Sequence, residues 1–376
     1  MVEISFFSDS KCDQLYPMNL GRCVSTLNYG ARSISDQWND AFIKTNGRRI
    51  RLNSRLLPTY TSVNIVHNLR PGDQWIHEGI LIAEIEGITE SIDVSISTTP
   101  LLLSSPKEIF EKCGDGIKED LERIKSTWRT RTLDEEERNA WAQSGVFVQG
   151  PMDRIHLAPG AIIRPCSLNT ENGDIAMGSE SEIMEGCNVR GPFVMGANSQ
   201  VKMGTNVYGP TGVGSNCRIG GEIKNSVIHD YSNKAHGGFI GNSVIGSWCN
   251  LGAETTTSNL KNNYSEVSVW DNESNTLVNS GRTFLGLFMG DHSKTAIHTA
   301  FNTGTVVGAF CNVFGNSTPS KHIKSFTWGG AENSEDYDID KALDAARIMM
   351  QRRDIKLSSE DELNIRQLHK SSTFDI

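Results

Sequence analysis

Lys234 and His236 stand two residues apart in the segment NKAHGGFIG. Histidine is the side chain best suited to act as a general base near neutral pH, because its imidazole exchanges a proton in that range. A lone histidine in a turn is more often a surface group or a structural one that is already hydrogen-bonded. We therefore take His236 as a candidate base whose role depends on its neighbours.

A second group of polar residues lies in MGDHSKTAIHT, which contains Asp291, His292, Lys294 and His298. An acid beside a histidine beside a lysine can form a base with its orienting partner. The same residues are equally typical of a solvated turn. We keep Asp291, His292 and Lys294 as secondary candidates.

The elements that must position these residues show a six-residue period, which fits neither an α-helix nor a strand. The unbroken series of apolar residues at this spacing is Met177, Ile183, Val189, Met195, Val201, Val207, Val213 and Ile219. The period then shifts by two residues and resumes at Phe239, Ile245 and Leu251, which we predict to be core residues. A last series runs through Met289, Thr295, Phe301, Val307 and Val313.

A six-residue period predicts a short strand and a tight turn, repeated, with three such units forming one coil of a parallel β-helix. An ordinary β-sandwich would show turn signals every eight to twelve residues instead. We predict an α/β domain over 1–145, the β-helix over 146–330 with an inserted loop over 258–286, and a short helical tail over 331–376. In the tail, Ser359 and Glu362 have the spacing of a capping box.

The composition excludes several classes of partner. The net charge of −9 disfavours nucleic acid and anionic membrane surfaces, which attract an excess of Lys and Arg. Neither a signal peptide nor a long apolar run is evident, so we expect a cytoplasmic protein with no membrane partner. The eight cysteines form no C-x-x-C pair and read as reduced thiols.

A metal site is not predicted. Some hexapeptide β-helices join three histidines around zinc or iron, and this requires two of them close together on one strand. Here His229 and His236 are seven residues apart, and His292 and His298 are six apart. These spacings place the members of each pair on different faces of a three-sided coil.

The chain resembles the GlmU-like sugar nucleotidyltransferase group of Bacteroidetes in SEIMEGCNVRGPF, SNKAHGGFIGNSVIG, SNLKNNYSEV, GDHSKTAIHTAFNTGTVVG and SFTWGG. It also resembles the acetyltransferase half of the bifunctional N-acetylglucosamine-1-phosphate uridylyltransferases in EIKNSVIHDYSNKAHGGFIGNSVIGSWCNLGAETTT. The resemblance implies a left-handed β-helix, a homotrimer, acetyl-CoA as acyl donor, and a sugar phosphate or nucleotide sugar as acceptor.

The same resemblance implies roles for four residues. His236 matches the family's catalytic base, and Lys224 and Lys234 fall where the family has lysines that contact the sugar phosphate. Asn250 matches the asparagine that holds the sugar. Phe239 stands where the family has a tyrosine.

The family's other activity is sugar-1-phosphate nucleotidyl transfer, with Mg²⁺ as its expected cofactor. It uses a glycine-rich phosphate-binding loop near the N-terminus, and this chain has only MNLGRCVSTLNYGARS there. We expect the N-terminal domain to be degenerate, with Arg22 and Arg32 as remnants or ordinary surface residues. Three interpretations remain: an acyl-CoA-dependent acyltransferase, a sugar-1-phosphate nucleotidyltransferase, and a non-catalytic trimeric scaffold.

Overall fold

The computed structural model describes residues 2–43, 47–87, 92–94 and 96–373. Most of the chain forms a parallel β-helix whose short strands stack in register on three faces. The fold class predicted from the six-residue period is confirmed, including the small N-terminal α/β region and the helical tail. The division into three domains at 145 and 330 stays a prediction.

The first face, which we call the docked face, lies under the N-terminal region. Its strands are Ile155–Leu157, Ile175–Met177, Phe193–Met195, Thr211–Val213, Val227–Ile228, Val244–Ile245, Phe288–Met289, Val306–Val307 and His322–Ile323.

The second face, the helix face, lies partly under the C-terminal helices. Its strands are Ile162–Ile163, Glu182–Ile183, Gln200–Val201, Arg218–Ile219, Asn233–Lys234, Asn250–Leu251, Lys294–Thr295, Asn312–Phe314 and Thr327–Gly330, and the antiparallel Ser334–Asp336 ends the sheet.

The third face, the open face, is built from Phe147–Gln149, Ser167–Asn169, Asn188–Arg190, Asn206–Tyr208, Glu222–Lys224 and Phe239–Gly241. Next to Phe239–Gly241, a two-stranded sheet of Thr256–Thr257 and Ala300–Phe301 follows.

The predicted core positions from Met177 to Ile219 are all buried, as are Ile245 and Leu251. Phe239 is an exception, and the prediction that it lies in the core is wrong. Ile240 is the buried residue of that strand, and it stacks on Ile223 of the preceding coil. Lys234 and Ile240 keep the six-residue step, but only five residues separate Ile240 from the next inward residue, Ile245. Counting back six from Ile245 therefore lands on Phe239, one residue before the true core position.

The N-terminal region is built on a five-stranded mixed sheet in the order Glu3–Phe7, Arg49–Asn53, Ile80–Ile85, Asp73–His77 and Ile92–Val94. A two-residue hairpin pairs Asn28–Tyr29 with Arg32–Ser33. The helices before the coil are α1 (Ile34–Ala41), α2 (Tyr60–Asn68), α3 (Pro106–Glu111), α4 (Cys113–Thr127) and α5 (Glu135–Ser144), with 3₁₀ turns at Ser10–Leu15, Val24–Thr26 and Met152–Arg154.

Apolar side chains join the N-terminal region to the docked face. The outward residues Ala176, Val194 and Val244 belong to the same buried cluster as the N-terminal core. Phe110 stacks on Phe288 with ring centroids 6.4 Å apart. Because burial of apolar surface is the main stabilising contribution to such contacts, the two parts are held together by a continuous core.

The segment inserted between coils contains an antiparallel hairpin, Ser268–Asp271 paired with Thr276–Asn279. The hairpin folds back over the molecule, where Trp270 stacks on His322 at a centroid distance of 3.9 Å. An ion pair between Arg282 and Glu111 joins the insertion to the N-terminal region.

The chain ends in two helices, which we call α6 (Ile339–Gln351) and α7 (Ser359–Thr373). The apolar stripe of α6 is buried at Leu343, Ala346 and Met350. At α7 the cap is one residue earlier than predicted, since the hydroxyl of Ser358 accepts the amide hydrogen of Asp361. No helix among the described residues is long and apolar enough to cross a membrane.

Candidate active site

His236 is exposed at the corner where the helix face turns into the open face. It follows the two-residue strand Asn233–Lys234 and precedes the strand Phe239–Gly241. Within the described part of the chain its imidazole makes no hydrogen bond. Both ring nitrogens are therefore free for a substrate, which suits a general base.

Lys234 lies inside the coil, with 1% of its surface exposed. It occupies the inward position that Ile219 holds in the coil before it. Its ammonium donates hydrogen bonds to the carbonyl oxygens of His236 (2.7 Å) and Gly237 (2.5 Å). The expected contact between Lys234 and a sugar phosphate does not fit this placement, because the ammonium points away from solvent.

Burial lowers the pKa of Lys234 to about 8, since removal from water disfavours the charged ammonium, while Glu254 acts in the opposite direction. The two carbonyl groups supply the hydrogen bonds that a buried cation requires. Lys234 thus fixes the backbone of the turn that carries His236.

Glu254 is a residue that the sequence did not single out. It lies at the same corner one coil further on, and its carboxylate is packed against Gly237. A methyl group built on Gly237 would come 2.1 Å from its nearer carboxylate oxygen. The only sequence signal for Glu254 is its place one coil after Gly237, and this is visible only when the turns of successive coils are aligned with each other.

Lys224 is exposed on the open face, at the far end of the strip that begins at His236. Lys224 is in register with Gly241 on the neighbouring strand. The ring of Phe239 lies over Gly241, between His236 and Lys224. The five steps along the chain from His236 to Gly241 span at most about 17 Å, and both side chains shorten the gap. His236 and Lys224 therefore lie at opposite ends of one strip of surface, and the ring of Phe239 lies between them.

Asn250 does not join that strip. It is exposed on the helix face, in register with Asn233 on one side and Lys294 on the other. It lines a cleft between this face and α6. His236 thus stands between two surfaces, with Lys224 on one and Asn250 on the other.

The three secondary candidates point in different directions. Asp291 forms an ion pair with Arg22 (3.1 Å) and so binds the N-terminal region. His292 is buried and stacked on Phe310 with ring centroids 4.6 Å apart, and burial lowers its pKa to about 3. Lys294 donates to the carbonyl of His292 and lines the cleft. The structure does not bring them together as a base with its partners.

His229 is a structural residue. It is buried, its Nδ1 donates to the carbonyl of Ile245 (2.9 Å), and its Nε2 accepts the amide hydrogen of Asn28 (3.0 Å). Burial lowers its pKa to about 3, so the neutral imidazole ties the N-terminal region to the coil.

Two buried or half-buried acids of the N-terminal region, Asp9 and Asp120, are engaged by arginines. Asp9 pairs with Arg55 at 2.5 Å, and Asp120 pairs with Arg32 at 2.7 Å. Arg32 is buried, so the expectation of a surface residue is wrong, and its partners hold it there. These carboxylates do not fit a magnesium site for nucleotidyl transfer, and we derive no step through Mg²⁺.

Comparison with known proteins gives partial matches. No protein-family model matches the chain. It is 33% identical over 102 residues to a bifunctional sugar-1-phosphate nucleotidylyltransferase/acetyltransferase of Sulfurisphaera tokodaii, which covers 27% of this chain and 25% of the relative. The bifunctional protein GlmU of Methanocaldococcus jannaschii is 36% identical over 107 residues, which is 28% of this chain and 26% of the relative.

The predicted resemblance to GlmU is confirmed over these stretches. The chain spans about a quarter of the length of the curated relatives it matches. Among solved structures, the polysialic acid acetyltransferase NeuO aligns with 51% of this chain and 86% of its own, at 13% identity and a TM-score of 0.31. AntD, an N-acyltransferase of Bacillus cereus in complex with dTDP and coenzyme A, aligns with 59% of this chain and 98% of its own, at 14% identity and a TM-score of 0.24.

Proposed function

We propose that this protein is an acyl-CoA-dependent acyltransferase, with acetyl-CoA as donor and an amino-sugar phosphate or amino nucleotide sugar as acceptor. The observation that carries the proposal is the setting of His236. Its imidazole is exposed at a corner between two accessible surfaces, while Lys234 holds its backbone from inside the coil. The match to a sugar-1-phosphate nucleotidylyltransferase/acetyltransferase and to GlmU supports this function.

In this mechanism the acceptor binds on the open face. Its phosphate pairs with the ammonium of Lys224, and the sugar ring packs against Phe239. The amine nitrogen attacks the thioester carbonyl carbon while His236 takes a proton from that nitrogen. The carbon–sulfur bond then breaks, and His236 returns the proton to the departing thiolate of CoA. The products are the N-acyl sugar and free CoA.

The function is tested by incubating the protein with acetyl-CoA and a panel of amino-sugar phosphates and amino nucleotide sugars while free thiol is measured. We expect thiol release that depends on both the protein and one class of acceptor. Absence of release with every acceptor, at a protein concentration comparable to that of acetyl-CoA, would leave the scaffold interpretation instead.

We further propose a homotrimer that packs through the open face on the coils before Lys224, with the acceptor strip at the edge of the interface. The N-terminal region covers the docked face and α6 lies over part of the helix face, whereas Phe147 and Tyr208 on the open face are 67% and 42% exposed. Exposed aromatic residues are typical of protein interfaces. Such packing would place His236 at the border between two subunits. The eight unpaired cysteines support the proposed cytoplasmic location.

A further inference from the structure

A cleft of about 650 Å³ lies between the helix face and α6. This volume is in the range of small-molecule sites. One wall is the polar row of the helix face, with Asn233, Asn250 and Lys294 in register on successive coils. The other wall is the C-terminal half of α6 and the two arginines that follow it, Arg352 and Arg353.

All the charged residues that line the cleft are cations, although the protein as a whole carries a net charge of −9. Lys294, Arg352 and Arg353 have no ion-pair partner in the described ranges of the chain. Arg218 precedes Asn233 in the same row, one coil earlier. Burial lowers the pKa of Arg218, and repulsion from Arg353 lowers it further. Like charges this close repel each other unless an anion lies between them.

The end of a helix is by itself a favourable place for arginine, because the helix dipole is negative there. That effect accounts for Arg352 and Arg353 on an exposed helix end. It does not account for Lys294 on a different element, nor for the absence of any acid among the residues that line the cleft. The convergence of cations from two elements therefore requires another explanation.

The cleft also offers contacts for an organic group. Ile348 is 63% exposed at its rim, and Tyr231 and Trp248 lie beneath it as a stacked pair with centroids 4.0 Å apart. The side-chain oxygen of Asn233 is buried and has no hydrogen-bond partner in the described residues. An acceptor of this kind suits a hydroxyl donor, and the apolar rim suits a planar ring.

We propose that this cleft binds a nucleoside diphosphate group, with Lys294, Arg352 and Arg353 on the phosphates and Asn233 on a ribose hydroxyl. Both reactants of the proposed acyl transfer can carry this group, since acyl-CoA and nucleotide sugars each contain a nucleoside diphosphate. The identity of the ligand rests on the proposed function, whereas the binding of the group does not.

The cleft lies within reach of His236. His236 is three residues after Asn233, a span of at most about 11 Å along the chain. A ligand anchored by its diphosphate on the helix face can extend its reactive end to the corner. The acceptor strip on the open face reaches the same corner from the other side.

The test is isothermal titration calorimetry of the full chain at low salt with CoA, uridine diphosphate and inorganic phosphate. The double variant Arg352→Gln/Arg353→Gln removes two cations from the cleft. The matched control, Lys341→Gln/Lys356→Gln, removes two exposed cations near the same helix that do not line it. Circular dichroism establishes that each variant is folded.

We expect CoA or uridine diphosphate to bind more tightly than inorganic phosphate. We expect the cleft variant to weaken that binding by about a hundredfold, because each lost charged hydrogen bond costs roughly tenfold. The control should change it by less than about twofold. Tighter binding of CoA identifies the donor as the ligand, and tighter binding of uridine diphosphate identifies the acceptor.

The proposal would be overturned if neither CoA nor uridine diphosphate bound, if both bound no more tightly than inorganic phosphate, or if the two double variants had equal effects. Acyl transfer is measured separately by thiol release. If the cleft variant transfers the acyl group at the parent rate, the proposed cleft is rejected and the proposed acyltransferase function stands. If nucleotide binding depends on the cleft but no acceptor is acylated, the proposed function is rejected and the cleft stands.

Discussion

Lys234 combines a charged side chain with a position that the fold reserves for an apolar one. Burial of an ammonium in the coil costs free energy unless hydrogen bonds replace its water. The carbonyls of His236 and Gly237 do this, and they belong to the turn that carries the proposed base. The residue is best understood as a positioning group, whereas Lys224 is exposed where an acceptor can reach it.

The variant Lys234→Met tests this distinction, because methionine fills the apolar position but leaves the two carbonyls without a donor. We expect kcat for acyl transfer to fall roughly ten- to a hundredfold through misplacement of His236, with little change in KM for the acceptor. Steady-state kinetics on the folded variant provide the measurement.

The matched variant is Lys224→Met on the open face. It should raise KM for the phosphorylated acceptor, because it removes a charge that binds the ground state as well as the transition state. A rise in acceptor KM with unchanged kcat in Lys234→Met would instead place Lys234 in contact with the substrate.

At the scale of elements, the corner between the docked face and the helix face carries a ladder of stacked rings. Its members are Tyr231, Trp248, His292, Phe310 and Phe326 on successive coils. All five adopt left-handed backbone angles, with φ between 56° and 63°. The ladder ends against α7, where His369 meets Phe326 edge to face. Stacking thus joins the coil to the C-terminal helices.

His292 makes this ladder sensitive to acid. Burial lowers its pKa from 6.5 to about 3, so the unfolded chain binds a proton that the folded chain excludes. Its contribution to the free energy of unfolding is present above pH 6.5 and is lost as the pH falls towards 3. Between pH 7 and pH 5 the loss amounts to about 2 kcal/mol.

We predict that His292→Phe removes this dependence, since phenylalanine preserves the stacking and Phe310 already adopts the same backbone conformation. Urea denaturation at pH 7 and pH 5 gives the measurement. The difference between the two free energies of unfolding should shrink by about 2 kcal/mol relative to the parent protein. The exposed His298→Gln serves as control, and an equal pH dependence in parent and His292→Phe would contradict the stated role of burial.

The sequence predicted the coil because each buried position repeats a local rule, an apolar residue every sixth place. Phe239 broke that rule because the step from Ile240 to Ile245 is five residues instead of six, and a fixed period does not reveal which turn is one residue shorter. The apolar spacing from Pro106 onward is that of one continuous helix, and its apolar positions Ile109 and Ile117 are buried. The structure divides it into Pro106–Glu111 and Cys113–Thr127.

The candidate site was predictable in part. His236 and Lys224 lie within one segment, and the family motif covers both. Arg352 carried no sequence signal and Glu254 only its place one coil after Gly237, because their neighbours come from other coils or from the far end of the chain. Asp291, His292 and Lys294 are adjacent in sequence, yet successive residues around a corner point to different surroundings.

At the scale of the whole molecule, the open face of each subunit packs against a neighbouring subunit in the proposed trimer. Light scattering during gel filtration should report three times the chain mass of 41.4 kDa. Tyr208→Glu places a charge on this face and should shift the protein to monomers, because a buried unpaired carboxylate is costly. The same substitution at Tyr264, which is 72% exposed on the inserted segment, should leave the trimer intact. A parent protein that elutes as a monomer would contradict the assembly.

The central claim is that His236 is the base for acyl transfer, and the most direct measurement is the rate of CoA release by His236→Asn with a productive acceptor. Asparagine keeps the polarity of the corner but cannot take the proton, so kcat should fall by about a hundredfold or more while His298→Gln retains the parent rate. A His236→Asn variant that is folded and releases CoA at the parent rate would contradict the account.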